Sequence, residues 1–199
     1  MAATVMNRQA RVAVSPARLA RTAERALAAL GRAAGDVDVL VVDDPAIKRL
    51  NRAHRGVDRR TDVLAFPLET PGTPSPLVGQ IVISAETARR QARRLEVALA
   101  TELDLLVTHG VLHLVGYDDR DPIEARLMHE RERAILSTGR RQPPARLWRG
   151  LLDALPITHG ARDERRKPDR RPTKRAVRSH AASVSCHPRS KPASRTSPL

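Results

Sequence analysis

Between Thr108 and Asp119 the chain reads T-H-G-V-L-H-L-V-G-Y-D-D, and three of these side chains can donate an electron pair to a metal. His109 and His113 are four residues apart, so on a helix they share one face, a single turn apart. Leu103, Leu105, Leu106 and Val107 precede them, and Val111, Leu112, Leu114 and Val115 lie between and after them. Such a helix is buried over most of its circumference. Gly116 breaks it and lets the chain return over the same face, which places Asp119 as a third ligand. The spacing H-x3-H-x5-D suits a three-ligand metal site with an open fourth position. A plainer reading makes both histidines core residues bonded to backbone carbonyls, with Asp119 capping the next helix. Two imidazoles at this spacing, a glycine turn and a carboxylate together favour the metal.

The elements that must hold this group can be read from the rest of the chain. Residues 1–8 are expected to be a flexible leader, and Arg11 to Val14 a short strand. Ser15 and Pro16 supply an N-cap and a first-turn proline for a helix to about Ala33, with Leu19, Ala23, Ala26, Leu27 and Leu30 on one stripe. Val37 to Val42 is a β-branched strand; Asp44 and Pro45 open a second helix. Thr61 to Pro67 is a third strand and Gly79 to Ile83 a fourth, joined by a proline-rich loop over Glu69 to Leu77. Ser84 caps a helix to about Ala98, the histidine helix follows, and Asp121, Pro122 and Glu124 start a last helix through Leu136. The expected fold is α+β: a single domain with a small mixed four-stranded sheet surrounded by about five helices, the metal site lying at the end of a buried helix. The domain covers residues 9–140. Residues 141–159 are an extension in which Leu147 to Leu155 offers one short helix, and 160–199 read as a disordered basic tail.

Composition narrows the function. Phe66, Tyr117 and Trp148 are the only aromatic residues, so the core is built from Ala, Val and Leu. Cys186 is the sole cysteine, which excludes a disulfide framework and fits a reducing cytoplasm. No run of 18 apolar residues exists, so no membrane span is expected. Of the net charge of +14, +9 falls in residues 160–199, with 12 Lys/Arg against 3 Asp/Glu. The body keeps enough positive charge to approach a polyanion.

Three ordered blocks resemble the YbeY-type endoribonucleases, the bacterial rRNA maturation factors. H-G-V-L-H-L-V-G-Y-D-D resembles that family's H-G-x-L-H-L-x-G-Y-D-H. Leu50, Asn51, Arg55, Thr61, Asp62, Val63, Leu64, Phe66 and Pro67 match its L-N-x-x-x-R-x-x-x-x-P-T-D-V-L-S-F-P, and Gly79 to Ser84 matches its G-D-I-x-I-S. Met128 and Glu132 fit its last helix, and the likeness covers about residues 10–140. The resemblance implies a cytoplasmic, zinc-dependent endoribonuclease with one Zn²⁺ per chain. Its implied substrate is single-stranded RNA, and its implied roles are maturation of the 3′ end of small-subunit (16S) rRNA and ribosome quality control, so rRNA and the ribosomal small subunit are the implied partners. Carried over by position, His109, His113 and Asp119 match the metal ligands, and Arg55 the basic residue for catalysis or RNA contact.

The sequence departs from that pattern in three places. Asp119 stands where histidine is usual, which lowers the site's net charge by one and predicts a less acidic bound water and better tolerance of harder metals such as Mn²⁺. Gln80 replaces an aspartate, which leaves no acid–base role there, and Arg60 replaces a proline. Arg55 suits a bidentate phosphate clamp. Asp62 and Thr61 read either as orienting groups or as a cap at the start of a strand. Arg89, Arg90, Arg93 and Arg94 read as a solvated face, with a phosphate track as the alternative, and Tyr117 as packing. His54 and His129 have no ligand spacing to anything identified. Two rivals remain. A zinc peptidase would need a glutamate directly after its first ligand, where this chain has Gly110. A non-catalytic assembly factor with a structural metal would need a fourth ligand, and the motif offers none.

Overall fold

The sheet is built by three parallel strands and one antiparallel strand, in the order β1-β2-β4-β3. The computed structural model describes residues 3–68, 77–139 and 142–148. Its elements are β1 (Ala3–Asn7), α1 (Pro16–Ala29), β2 (Asp36–Val42), α2 (Asp44–Arg55), β3 (Val63–Pro67), β4 (Leu77–Ser84), α3 (Ala85–Arg94), α4 (Leu99–Leu114) and α5 (Pro122–Ser137). A single 3₁₀ turn follows at Ala145–Trp148. This is the α+β architecture expected, with a four-stranded mixed sheet and five helices. The proline-rich loop, most of the short helix expected at 147–155 and the basic tail lie outside the described residues.

Alternation along the strands assigns the two faces. Val37, Val39 and Val41 of β2 and Ile81 and Ile83 of β4 enter the main core with Leu19 and Leu27 of α1, Val107 and Val111 of α4, and Met128 and Ile135 of α5. Val42 and Val82 point the other way, against Ile47 of α2 and Leu64 of β3. Helix α2 thus covers one face of the sheet, while α1, α4 and α5 contribute to the core on the other. Among the described residues no single helix is long and apolar enough to cross a membrane.

Two expectations are corrected at the N-terminus. Residues 3–7, expected as part of a leader, form β1 and pair in parallel with β2, Val5 opposite Val39. Arg11 to Val14 is not a strand. Val12 is buried there, but the backbone N–H groups of Arg11 and Val12 both donate to Gln9 Oε1 (2.9 Å each). A side chain satisfies the backbone that a ladder would otherwise have to satisfy.

Helix starts follow the expected chemistry with two shifts. Ser84 accepts from Thr87 N–H (3.2 Å), and Asp121 accepts from Ile123 and Glu124 N–H (2.9 and 3.2 Å). Ser15 sits at the start of α1 but makes no side-chain cap. The cap of α2 is Asp43, which accepts from Ala46 N–H (2.9 Å). Asp44 is thereby released to accept from Ser84 Oγ (2.6 Å) and Thr87 Oγ1 (2.7 Å), tying α2 to the start of α3.

Helix α4 runs through the core, and what it crosses constrains its sequence. A Cβ at Gly110 would stand 2.8 Å from Ile81 Cγ2 and 3.0 Å from Ile81 Cδ1. Residue 110 is therefore glycine so that the helix can lie close on β4, and a larger side chain would meet the fully buried Ile81. Two acids of α4 are buried. Asp104 is answered by Arg18 (Nη2, 2.6 Å) and Thr22 Oγ1 (3.0 Å). Glu102, 3% exposed, leaves Oε2 without a hydrogen-bond partner among the described residues.

Burial, seconded by the negative charge of Asp62, pushes the Glu102 carboxyl up to about 7, with Arg94 opposing. Below the ordinary value of 4.5 both folded and unfolded chains hold this proton; between 4.5 and about 7 only the folded chain does. Stability contributed at this site therefore falls as pH rises through that window, by about 3 kcal/mol in all, and then levels off. Glu102→Gln should remove that slope. Denaturant midpoints of wild type and variant at pH 5 and pH 8 should diverge in the variant's favour only at the higher pH, and parallel curves would contradict it.

Candidate metal centre

The first two candidate ligands are positioned by helix periodicity and the third by the turn after it. Helix α4 ends at Leu114, and Gly116 adopts a φ of 98°, a left-handed conformation that ordinary side chains resist. The chain reverses, and Asp119 returns to the histidines. Asp119 Oδ2 lies 3.7 Å from His109 Nε2 and 3.8 Å from His113 Nε2. The two Nε2 atoms are 3.0 Å apart, and one ligand atom from each of the three residues fits within 4.8 Å of the others. The histidines are half-buried and Asp119 is exposed. Asp118, its neighbour, instead accepts from Arg120 N–H (3.1 Å).

Hydrogen bonds on the opposite side of each ring decide what the Nε2 atoms offer. His109 Nδ1 is 2.6 Å from Glu132 Oε1, and His113 Nδ1 is 3.0 Å from the Tyr117 carbonyl. Both partners are acceptors, so both Nδ1 atoms carry the hydrogen. Neutral rings held this way turn two Nε2 lone pairs towards each other across 3.0 Å. Without an intervening charge that contact is repulsive. A proton or a cation relieves it. The donor set thus fits a metal ion, and His109, His113 and Asp119 can hold one. Of the two rings His109 takes a proton the more readily: burial disfavours charge on it, but Glu132 more than compensates and raises its pKa. Burial and then the charge of His109 lower that of His113.

Glu132 is the residue whose role the sequence did not disclose. It is fully buried on α5, and its second oxygen receives His129 Nδ1 at 2.9 Å. Burial opposes its ionisation, yet the hydrogen bonds from His109 and His129 hold it below the usual carboxylate range. A histidine and a glutamate three apart on the inner face of a helix, flanked by Met128 and Ile135, were a visible signal. Tyr117 packs against the core as expected, but its backbone carbonyl also orients His113.

Arg55 is the last residue of α2, exposed, and its positive charge acts on His113. The loop after it is anchored by buried Asn51, whose Nδ2 donates to the Arg59 carbonyl (2.8 Å). Asp62 ends that loop. Its Oδ1 accepts from Val63 N–H (2.8 Å) and Thr61 Oγ1 (3.1 Å), and its Oδ2 from Gln91 Nε2 (2.8 Å), as a cap at the start of β3 would. Gln80 is exposed, 3.4 Å from Asp38. His54 packs edge-on against Phe66.

Such a chain is an α+β protein carrying, at the end of a buried helix, a two-histidine, one-aspartate group that could hold a metal ion. It belongs to the YbeY family: the family model described as endoribonuclease YbeY matches residues 4–139. Proteins named endoribonuclease YbeY from two Anaeromyxobacter strains, Fw109-5 and A. dehalogenans 2CP-C, are 50% and 45% identical over 119 and 115 residues. These alignments take in 59% and 58% of this chain, and the chain spans 62% and 60% of the length of those relatives. The protein of the same name from Moorella thermoacetica is 42% identical over 151 residues, 69% of this chain and 96% of its own.

Glu132 holds His109 and is not itself one of the three candidate donors, so its loss should weaken metal binding at this group without removing a donor. Glu132→Gln is expected to lower metal affinity about 10- to 100-fold. Titration against a chromophoric chelator reads this directly. Unchanged affinity would show that the carboxylate only fills space.

Proposed function

We propose that this protein is a zinc-dependent endoribonuclease that cuts single-stranded RNA. On this reading it acts in the cytoplasm, in maturation of the 3′ end of small-subunit (16S) rRNA and in ribosome quality control, with rRNA and the small subunit as its partners. The observation that carries the reading is the convergence of His109, His113 and Asp119 on one point at the edge of a buried helix. Membership of the YbeY family supports it. Three protein donors, with no fourth His, Cys, Asp or Glu in the group among the described residues, suit a catalytic rather than a structural zinc.

Zinc held there, one per chain, supplies Lewis acidity towards a phosphoryl oxygen and an attacking hydroxyl or water. The chain's own residues do the rest. Glu132 and the Tyr117 carbonyl keep the two imidazoles in the ligating tautomer. Arg55, whose charge reaches the site, offers a planar donor fork to the phosphate and to the negative charge that grows in the transition state. Gly110 occupies the position of a peptidase's general base, and Ile81 leaves no room there for a carboxylate.

Stripping metal from the protein should abolish cleavage of a single-stranded RNA, and zinc should restore it. His113→Ala, treated identically, should stay inactive; Arg55→Ala should lose roughly 10²- to 10³-fold in kcat. Zinc bound by the wild type with no turnover would instead identify an assembly factor. Asp119→His should shift the metal preference towards zinc and away from manganese. Equal zinc–manganese selectivity in the two proteins would sink the assignment of that preference to Asp119.

A further inference from the structure

A second recess, unused by the metal chemistry, has a wall that acts on it. It is a cavity of about 440 Å³ lined by Arg59, Arg60 and Thr61 of the loop after α2, by Asp62, and by Arg90 and Arg94 of α3. Asp62 acts electrostatically on His109, and Arg55, seven residues earlier, acts on His113. The segment from Arg55 to Asp62 leads from the end of α2 to the wall of the cavity, and charges at both of its ends act on the histidines.

The charge in this cavity is not balanced. Four guanidinium groups face one carboxylate on the wall, and Asp62 is already engaged by Val63, Thr61 and Gln91. Asp44 behind the wall pairs with Arg90 (2.8 Å) and stands 3.9 Å from Arg60, which orients those two. Arg59 and Arg94 form no ion pair among the described residues. The acid that acts on Arg94, Glu102, is one that burial drives towards its neutral form. A concave wall with unpaired positive charge concentrates the field and attracts an anion.

The side chains also say which anion. Guanidinium forks match the oxygens of a phosphate, and they are the donors left for it, since the Thr61 and Thr87 hydroxyls already donate to Asp62 and Asp44. A divalent cation is excluded by four arginines. A stacked base needs an aromatic platform, and none of Phe66, Tyr117 and Trp148 lines the cavity.

We propose that this cavity anchors a backbone phosphate of the same single strand whose scissile bond lies at the metal centre. The inference rests on the ribonuclease reading and adds a second, sequence-independent contact to it. Arg59 and Arg94 make that contact, while Arg90, held by Asp44 and by Thr87 Oγ1 (2.6 Å), shapes the cavity. Strands long enough to reach both sites are held more tightly than those that reach only the metal.

The test uses the full-length, metal-stripped protein and a labelled single-stranded oligoribonucleotide, with anisotropy read across a salt series. Arg59→Ala/Arg94→Ala should weaken binding about tenfold and flatten the log–log salt slope by about one. Both side chains are exposed and make no hydrogen bond among the described residues, and the Asn51 bond to the Arg59 backbone carbonyl survives the substitution, so the variant should fold as the wild type does. Arg49→Ala/Arg93→Ala removes the same charge from exposed positions outside the cavity and should change little. Equal weakening in both double variants would overturn the site in favour of a diffuse field. Inorganic phosphate that binds the wild type but not the Arg59/Arg94 variant, with RNA affinity unaltered, would mark a free-phosphate site and overturn the strand contact. Metal-dependent cleavage with normal affinity in the Arg59/Arg94 variant defeats the anchoring alone. Affinity that depends on Arg59 and Arg94 without metal-dependent cleavage defeats the ribonuclease reading alone. A wild type that binds no RNA defeats both.

Discussion

Helix α4 must be buried on almost every side and still present two imidazoles at one edge, and the architecture follows from that demand. Its apolar residues are sealed by the sheet, α1 and α5, while Asp104 is neutralised by Arg18 in place of water. Gly110 lets the helix settle on Ile81, which fixes the height of His109 and His113 above β4. Because the interior is close-packed, that height cannot drift. With the helix fixed, Glu132 and the Tyr117 carbonyl can set the two rings so that their Nε2 atoms stand 3.0 Å apart.

Around this helix the charges are sorted by depth. The deepest carboxylate, Glu132, is fully buried between two histidines and acts on the metal group only through a ring. Asp62, half-buried, is taken up by backbone and side-chain donors and acts at longer range. The arginines lie outermost: Arg55, Arg59, Arg60, Arg90 and Arg94 are all exposed. Positive charge thus stands at the surface, where a polyanion arriving from solvent would meet it. Reversing that order would leave a buried guanidinium unpaired, at a cost of several kcal/mol.

Much of this was legible in the sequence where one local pattern determines one local structure. The i, i+4 histidines, the glycine turn, the Ser84 and Asp121 caps and the β-branched run of β2 appear where periodicity and capping place them. Reading failed where a distant partner decided the outcome. β1 is only five residues long and lacks a clear alternating pattern, and it pairs as a strand along the edge of β2. The apolar signal of Val12 was real, but Gln9 replaces the ladder. Asp43 displaced Asp44 as cap because Asp44 has partners across the fold, on β4 and α3. Glu132 lies 23 residues from His109, so its role exists only once α5 packs on α4.

The three metal donors are unequally prepared, and this bears on what Asp119 means in place of a histidine. His109 is locked by a buried carboxylate, and His113 by a carbonyl of its own turn. Asp119 is exposed and makes no hydrogen bond among the described residues; the two imidazoles stand 3.7 and 3.8 Å from its Oδ2. A histidine there would have a second ring nitrogen through which a neighbour could orient it. A carboxylate has instead a second oxygen, free to share the load or swing away. The first two donors are therefore set by folding, whereas the third would be set by an ion if one were held there. Asp119 is absent from the core cluster that packs α4, so a substitution there would act on the donor group and leave the core in place.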